Sequence, residues 1–402
     1  MNKIIFILTS LLCFISMGLI NGRLVDNSYQ QAFIAGSLIS LMLVAYIKRL
    51  KILEGTTPLL KMFFVYYGYV MMTVAWSSLN EASLLKAILL FILISSTYII
   101  SSRLSVREFT NTLLVGLAFV SVISLILSIV APSLAYHAGE LEGNLKGIYN
   151  HKQILGIAAT ILGFISLVRL YNEKAKIYFI TLVVSVICLL LTGSRGALIL
   201  MAFSFMLSVL PRQGRAYNLA LFIPLITALL SGVFFMVFGA LDASGVSFAG
   251  EYYTLNSRTY IWNYALQQGW LQTPILGTGL NNFWSNEETI LNFSDINNWS
   301  TENFHNGYLA VLVEQGLLGY SLFVVLTAML CNKLKQLDSS TESKTIVGYT
   351  SLFYLMNIYE TFLIRSTSGI LLIFLFFVLV ISQNISVSSL KNPRGKNALA
   401  SE

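Results

Sequence analysis

Along the 402 residues, apolar positions gather into long unbroken runs separated by short polar or charged breaks. The runs are roughly 17 to 25 residues long, the length an α-helix needs to cross a bilayer's hydrocarbon. A membrane β-barrel would instead show shorter segments of strict alternation. Spans are predicted near 4–20, 32–47, 59–76, 84–100, 110–130, 154–170, 177–192, 197–210, 219–238, 306–331, 345–362 and 368–384. The pattern therefore predicts an all-α, polytopic integral membrane protein with about 12 transmembrane helices, residues 1–402 forming a single membrane domain. The first run, Ile4 to Ile20 after Lys3, could be a secretory signal. Small cleavage-site residues are poorly placed before Asn21, so it is expected to remain as an uncleaved first helix.

Composition agrees, with 56% hydrophobic and 11% charged residues, against about 25% charged in soluble domains. Charge position then adds topology. With a cytoplasmic N-terminus, 18 of the 25 Lys and Arg fall inside, including Lys48, Arg49, Lys51, Arg103, Arg107, Lys333 and Lys344. This positive-inside bias accounts for the net charge of +7 without a nucleic-acid partner, and the expected location is a bacterial inner (cytoplasmic) membrane, with the lipid bilayer as first partner. Cys13, Cys188 and Cys331 are far apart, without metal-type spacing, and read as structural thiols.

One connection is too long and too polar to be a simple link. Residues 239–305 form a large loop, expected to be periplasmic and to contain short helices; a passive loop is the alternative reading. Its acids (Asp242, Glu251, Glu287, Glu288, Asp295, Glu302) face a single cation, Arg258. Arg258 to Gly269 has helical spacing, with Asn256 or Ser257 placed to cap it, and is expected to be an interfacial helix with Trp262 and Trp270 at the headgroup level. Arg258 would then occupy the first turn, where the helix dipole disfavours a cation. A bound anion reverses that preference, because amides, dipole and guanidinium would face one negative charge.

The same arrangement recurs. Lys86, Arg195 and His305 open outward-starting spans, His151 and Lys152 precede another, and Arg365 precedes the last. Together they suggest an outward-facing anion site, for which a polyprenyl diphosphate is the anion at hand. Snorkelling interface residues are the competing explanation. His305 fits general-base or acceptor-orienting work, or simple capping. Glu314 lies nine residues on, about 13 Å deeper, and cannot touch His305. It is either functional or a buried tie between helices. Glu360 lies near the outer end of its span and could pair with Arg365. No Walker A, Asp-x-Asp, His-Glu-x-x-His or Gly-x-Ser-x-Gly motif occurs, so no metal and no cofactor are expected.

Several stretches together resemble the O-antigen ligase and polymerase superfamily: Ser257 to Trp262; Pro274-Ile275-Leu276-Gly277-Thr278-Gly279 with Phe283-Trp284; and His305-Asn306-Gly307-Tyr308-Leu309 with Glu314 and Gly316 to Gly319. Gly147 to Lys152 and Leu191 to Gly196 look like two further motifs, so the family-like core covers about residues 145–320. The resemblance implies inverting, metal-independent membrane glycosyltransferases that use an undecaprenyl-diphosphate-linked glycan at the periplasmic face. It implies diphosphate binding by Arg195 and Arg258 and acceptor activation by His305, with His151, Lys152, Glu314, Glu360 and Arg365 as further substrate-binding candidates. The Gly-x-x-x-His-Lys segment and the His-Asn-Gly-Tyr-Leu form look more like polysaccharide polymerases (O-antigen, exopolysaccharide or capsule) than ligases acting on lipid A core. Partner proteins implied are a flippase and a chain-length regulator. A ligase, and a lipid-linked oligosaccharide flippase, remain alternative readings.

Overall fold

A computed structural model describes residues 36, 39, 57–139, 142–211, 215–240, 246–248, 251–253, 257–365 and 368–383. The expected spans 4–20 and 32–47 lie outside these residues apart from two isolated positions, as do Cys13, Arg23 and the C-terminal basic stretch.

Helices stand at all ten remaining predicted places. In chain order they are α1 (Pro58–Met72), α2 (Asn80–Arg103), α3 (Val106–Val130), α4 (Lys152–Glu173), α5 (Lys176–Leu191), α6 (Arg195–Val209), α7 (Arg215–Leu221) and α8 (Ile223–Ala240). After the loop helices α9 (Arg258–Gln268) and α10 (Glu287–Asn297) come α11 (Gly307–Leu334), α12 (Thr341–Met356) and α13 (Gly369–Ser382). Among the described residues the strands are a hairpin of three-residue segments, β1 (Val246–Phe248) and β2 (Glu251–Tyr253), with Val246 opposite Tyr253.

Ten helical places are not ten full crossings. Among the described residues five helices are long and apolar enough to span a membrane, or six if α7 and α8, bent by 52° at Phe222, count as one. α5, α6 and α13 have 16, 15 and 14 residues, about 21–24 Å at 1.5 Å per residue, short of the roughly 30 Å hydrocarbon. α13 shows why a short helix suffices: Ile370 through Ile381 are all buried, enclosed by α1, α2, α11 and α12. A helix apolar on every face belongs inside. The opposite condition holds at the periphery, where Phe64, Leu84, Phe91, Val115, Ile126 and Ile180 are exposed. In water such a belt would aggregate; against lipid it is the expected surface.

α4 is the hub of one half, packing against α3, α5, α6 and α12, while α11 packs against α1 and α8 in the other. At one end of α4, charges neutralise each other. Glu173 accepts from Arg107, from the buried Arg169 and from the Tyr178 hydroxyl, Arg169 also donates to Thr110, and Lys344 donates to Asn172.

α11 is broken in the middle. Gly316 has φ 64° and ψ −171°, a conformation essentially restricted to glycine. The break exposes backbone groups that a bilayer could not satisfy, and residues 274–279 satisfy them. The Thr278 and Gly279 amides donate to the Val313 and Glu314 carbonyls at 2.9 Å, and the Leu317 and Leu318 amides donate to the Pro274 and Ile275 carbonyls at 2.9 and 3.1 Å. The Tyr69 hydroxyl takes the Gln315 carbonyl at 2.9 Å. Two stretches that look like separate motifs in the sequence are one interlocked unit.

Candidate functional site

The site is assembled at the starts of α4, α9 and α11 and in the turn after α12. Asn306 caps α11: its Oδ1 accepts from the Tyr308 and Leu309 amides at 2.9 and 3.0 Å, and its Nδ2 donates to the Ile358 carbonyl at 2.7 Å. Gly307 donates its amide to the Asn357 carbonyl at 2.8 Å, and a side chain there would overlap the Asn357 amide group. Asn357 in turn accepts from the Phe362 and Leu363 amides. The His305 and Glu360 loops are thereby tied together.

His305 sits at φ 49°, an uncommon conformation for a non-glycine residue that neighbouring contacts must hold. Its Nδ1 is 3.3 Å from Glu360 Oε1, and Asn303 Nδ2 donates to Glu360 Oε2 at 3.4 Å. A carboxylate only accepts, so Nδ1 carries the proton and Nε2 is left as the basic atom. The imidazole is 28% exposed and the carboxylate 9%, so the ring is reachable while its partner is enclosed. The sequence suggested Glu360 for Arg365; the carboxylate instead binds His305 and Asn303, and Arg365 is only its electrostatic neighbour.

The chain's three histidines converge here. His151 is the N-cap of α4, its Nδ1 accepting from the Gln153 amide at 3.3 Å, and His137 Nε2 accepts from the Lys152 amide at 3.0 Å. The two rings lie 5.1 Å apart. His151 feels the charges of Glu360, Lys152 and His305. Its half-burial pushes its pKa down, Glu360 opposes this, and Lys152 and His305 add to the depression. A depressed histidine contributes its full stabilisation above the ordinary pKa of about 6.5, and loses it as pH falls through the lower folded-state value. His151→Asn keeps a side-chain cap acceptor but does not titrate, so the acid limb of activity and of thermal stability should move to lower pH. An unchanged acid limb in pH–activity and pH–melting profiles would assign that titration elsewhere.

Arg258 is the first residue of α9, as expected, but the details around it differ. Ser257 holds the N-cap position with φ 64° and makes no side-chain cap bond; capping side chains act from extended backbone, which this is not. Trp262 and Trp270, expected at the headgroup level, are 7% and 8% exposed. Trp262 packs edge-on to Phe235 and donates Nε1 to the Phe304 carbonyl at 3.1 Å. Amphipathic spacing does not distinguish a protein core from a lipid headgroup, and here the core is the partner. This docking brings Arg258 beside Tyr359, whose acidity burial lowers, Glu360 lowering it further and Arg258 partly restoring it. The Tyr359 hydroxyl is buried with no partner among the described residues.

Arg195 begins α6 and is exposed. The turn before it packs on the start of α4, since a side chain at Gly156, one turn beyond Lys152, would overlap Ser194. Ser194 also makes no side-chain cap bond. Among the described α-helix starts with a polar N-cap, Thr57, Ser105, His151, Asn286, Asn306, Ser340 and Ser368 all accept a first-turn amide. Ser194 and Ser257, directly before Arg195 and Arg258, do not.

Next to Asn303 and Phe304 opens a cavity of about 230 Å³ reaching Lys86, Glu314 and Arg365. Glu314 accepts the Asn281 amide at 2.9 Å, so it ties a loop to α11 and also faces this space. Arg365 is accessible from the cavity yet surrounded by protein, which lowers its pKa; Glu360 and Glu314 oppose the shift. Water in the cavity reaches the guanidinium, and it stays charged. Among the described residues no three His, Cys, Asp or Glu side chains converge to hold a metal. His137, Asn281 and Asn303 carried no sequence signal for the site. Only Asn303, two residues before His305 and short enough to fold back on it, could have been noticed.

Comparison with known proteins bears on the middle of this arrangement. Residues 180–324 match the family described as O-antigen ligase, a stretch that holds Arg195, Arg258, His305 and Glu314 but not His151, Lys152, Glu360 or Arg365. The chain is 25% identical over 323 residues, 72% of its length, to the exopolysaccharide production protein ExoQ of Rhizobium meliloti (strain 1021), covering 70% of that protein. Both matches support the resemblance that the sequence motifs carry to the O-antigen ligase and polymerase superfamily.

Proposed function

We propose that this protein is a polysaccharide polymerase: a membrane glycosyltransferase that moves an undecaprenyl-diphosphate-linked glycan onto another lipid-linked glycan at the periplasmic face of the inner membrane, with inversion and without a metal. The observation that carries the reading is the pair of helix starts before which the serine, Ser194 or Ser257, makes no side-chain cap bond, each with an arginine as first residue. The first turn of a helix is a ready phosphate site, and a guanidinium at each start supplies the charge. Similarity to an exopolysaccharide production protein favours a growing polymer as product. In this reading the acceptor hydroxyl gives its proton to His305 Nε2 as its oxygen bonds to the anomeric carbon. The bond from that carbon to the diphosphate breaks, and the leaving oxygen's charge falls on Arg195 and Arg258. Glu360 holds the ring by Nδ1 and stabilises the imidazolium.

Transfer to lipid A core, as by a ligase, is the second reading, favoured by the description of the matching family. Donor chemistry is shared, so the product distinguishes them: label on lipid-linked glycan against label on lipid A core. A flippase fits poorly, because the apolar α13 fills the interior.

The test of the diphosphate site is Arg258→Lys. The charge survives but the fork that matches two phosphate oxygens is lost. Polymer formation should fall at least tenfold and donor affinity should weaken, with insertion and expression unchanged. Full activity with unchanged donor affinity would move the diphosphate elsewhere, to Lys152 or Arg365 first.

A further inference from the structure

The cavity next to Asn303 and Phe304 is not needed for the steps above. Its wall combines Lys86 from α2, Asn281 and Trp284 from the loop, Glu314 from α11, and Thr361 and Arg365 from the turn before α13. At about 230 Å³ it is smaller than the roughly 300–1,000 Å³ of drug-sized ligand sites. One sugar ring fits; an oligosaccharide does not. Lys86 and Arg365 are electrostatic neighbours, and among the described residues neither has a carboxylate within ion-pair distance. Glu360 and Glu314 act on Arg365 electrostatically and Glu302 lies on the same wall, but none closes an ion pair with the two cations, so an anion seated between them is favoured. Glu314 has one oxygen occupied by the Asn281 amide, leaving its other acceptor sites for hydroxyl groups. Trp284 Nε1 and Thr361 Oγ1, on buried side chains of the same wall, have no hydrogen-bond partner among the described residues. Asn303, whose amide shares the Glu360 carboxylate with the imidazole, and Phe304 also line the space.

We propose that this cavity is a subsite for a single sugar ring bearing a carboxylate, the Lys86–Arg365 pair reading the carboxylate and Glu314 a ring hydroxyl. The proposal rests on the transferase reading for its identity as a glycan subsite: the ring next to His305 would be the acceptor's reacting unit, making this protein selective for acidic repeat units. A phosphate group is the other anion that two cations accept, whether from a lipid headgroup or from solution.

Binding, which needs no turnover, tests the proposal. Full-length protein in nanodiscs is titrated with glucuronate, glucose and inorganic phosphate, following thermal stabilisation. Glucuronate should bind at least tenfold more tightly than glucose and than phosphate. Lys86→Gln and, separately, Arg365→Gln should each abolish that preference. Each variant is checked for monodisperse elution, and either one suffices if the other does not fold. His305→Ala should retain the preference, so normal transfer in that variant with the preference intact would count against the transferase reading of His305 and leave the subsite standing. Equal binding of glucose and glucuronate, or the preference persisting in the folded variants, would overturn the subsite. Phosphate binding as tightly as glucuronate would overturn it too, in favour of a phosphate or headgroup site.

Discussion

His305→Ala should lower the rate of polymer formation by about two to four orders of magnitude, the usual worth of a positioned general base, while donor affinity stays within a factor of two or so. The reason is geometric. The imidazole is fixed by Glu360 at 3.3 Å and by a backbone at φ 49°, so its basic nitrogen has one direction to face, and the donor diphosphate is assigned to other residues. Glu360→Gln should give an intermediate loss: the amide can still contact Nδ1, but the charge that stabilises the imidazolium is gone. Single-turnover transfer and equilibrium donor binding, measured on the same inserted protein, separate the two effects. Normal polymer length and rate in His305→Ala would reduce this residue to a structural part of the α11 start.

The second large effect concerns folding. Gly316→Ala should deplete the folded protein, because the added carbon requires leaving φ 64°, ψ −171° and would overlap the Ile275 carbonyl. Strain in this region costs about 1–3 kcal/mol by itself, and relieving it would disrupt the paired bonds to residues 274–279. Gly277→Ala should behave alike, since its side chain would strike the backbone at Glu314 and Gln315. An exposed substitution such as Leu318→Ala, on the same helix, serves as the reference. Melting temperature and the monodisperse fraction after solubilisation measure the effect; a Gly316→Ala protein that melts like the reference would show that the break tolerates a side chain.

Much of the scaffold was legible because membrane helices are specified by length and apolarity, properties local to each run. All ten described places follow from that alone. What the runs could not tell is how deep each helix reaches: α13 looks like a span and is a short enclosed plug, because apolar contact with helices and with lipid reads the same in a sequence. The candidate site was legible where charge contradicted local physics, as with Arg258 in a first turn, or where a motif marked it, as with His305 at the head of His-Asn-Gly-Tyr-Leu. It was illegible where a partner comes from a distant segment. Asn281 reaches Glu314, and His137 meets the start of α4, through contacts that no spacing encodes. The missing caps at Ser194 and Ser257 depend on backbone angles, which serine as a residue type does not announce. Tryptophans placed by amphipathicity went to the wrong neighbour for the same reason as α13.

The enclosed α13 has a bioenergetic consequence. Ile370 to Ile381 form an unbroken apolar column between the histidine end of the bundle and the end where Glu173 gathers Arg107 and Arg169. In the transferase reading proposed above, a proton accepted by His305 finds no titratable side chain along α13 to carry it toward the other end. An apolar helix of this kind serves the bundle as an insulating partition rather than as a relay.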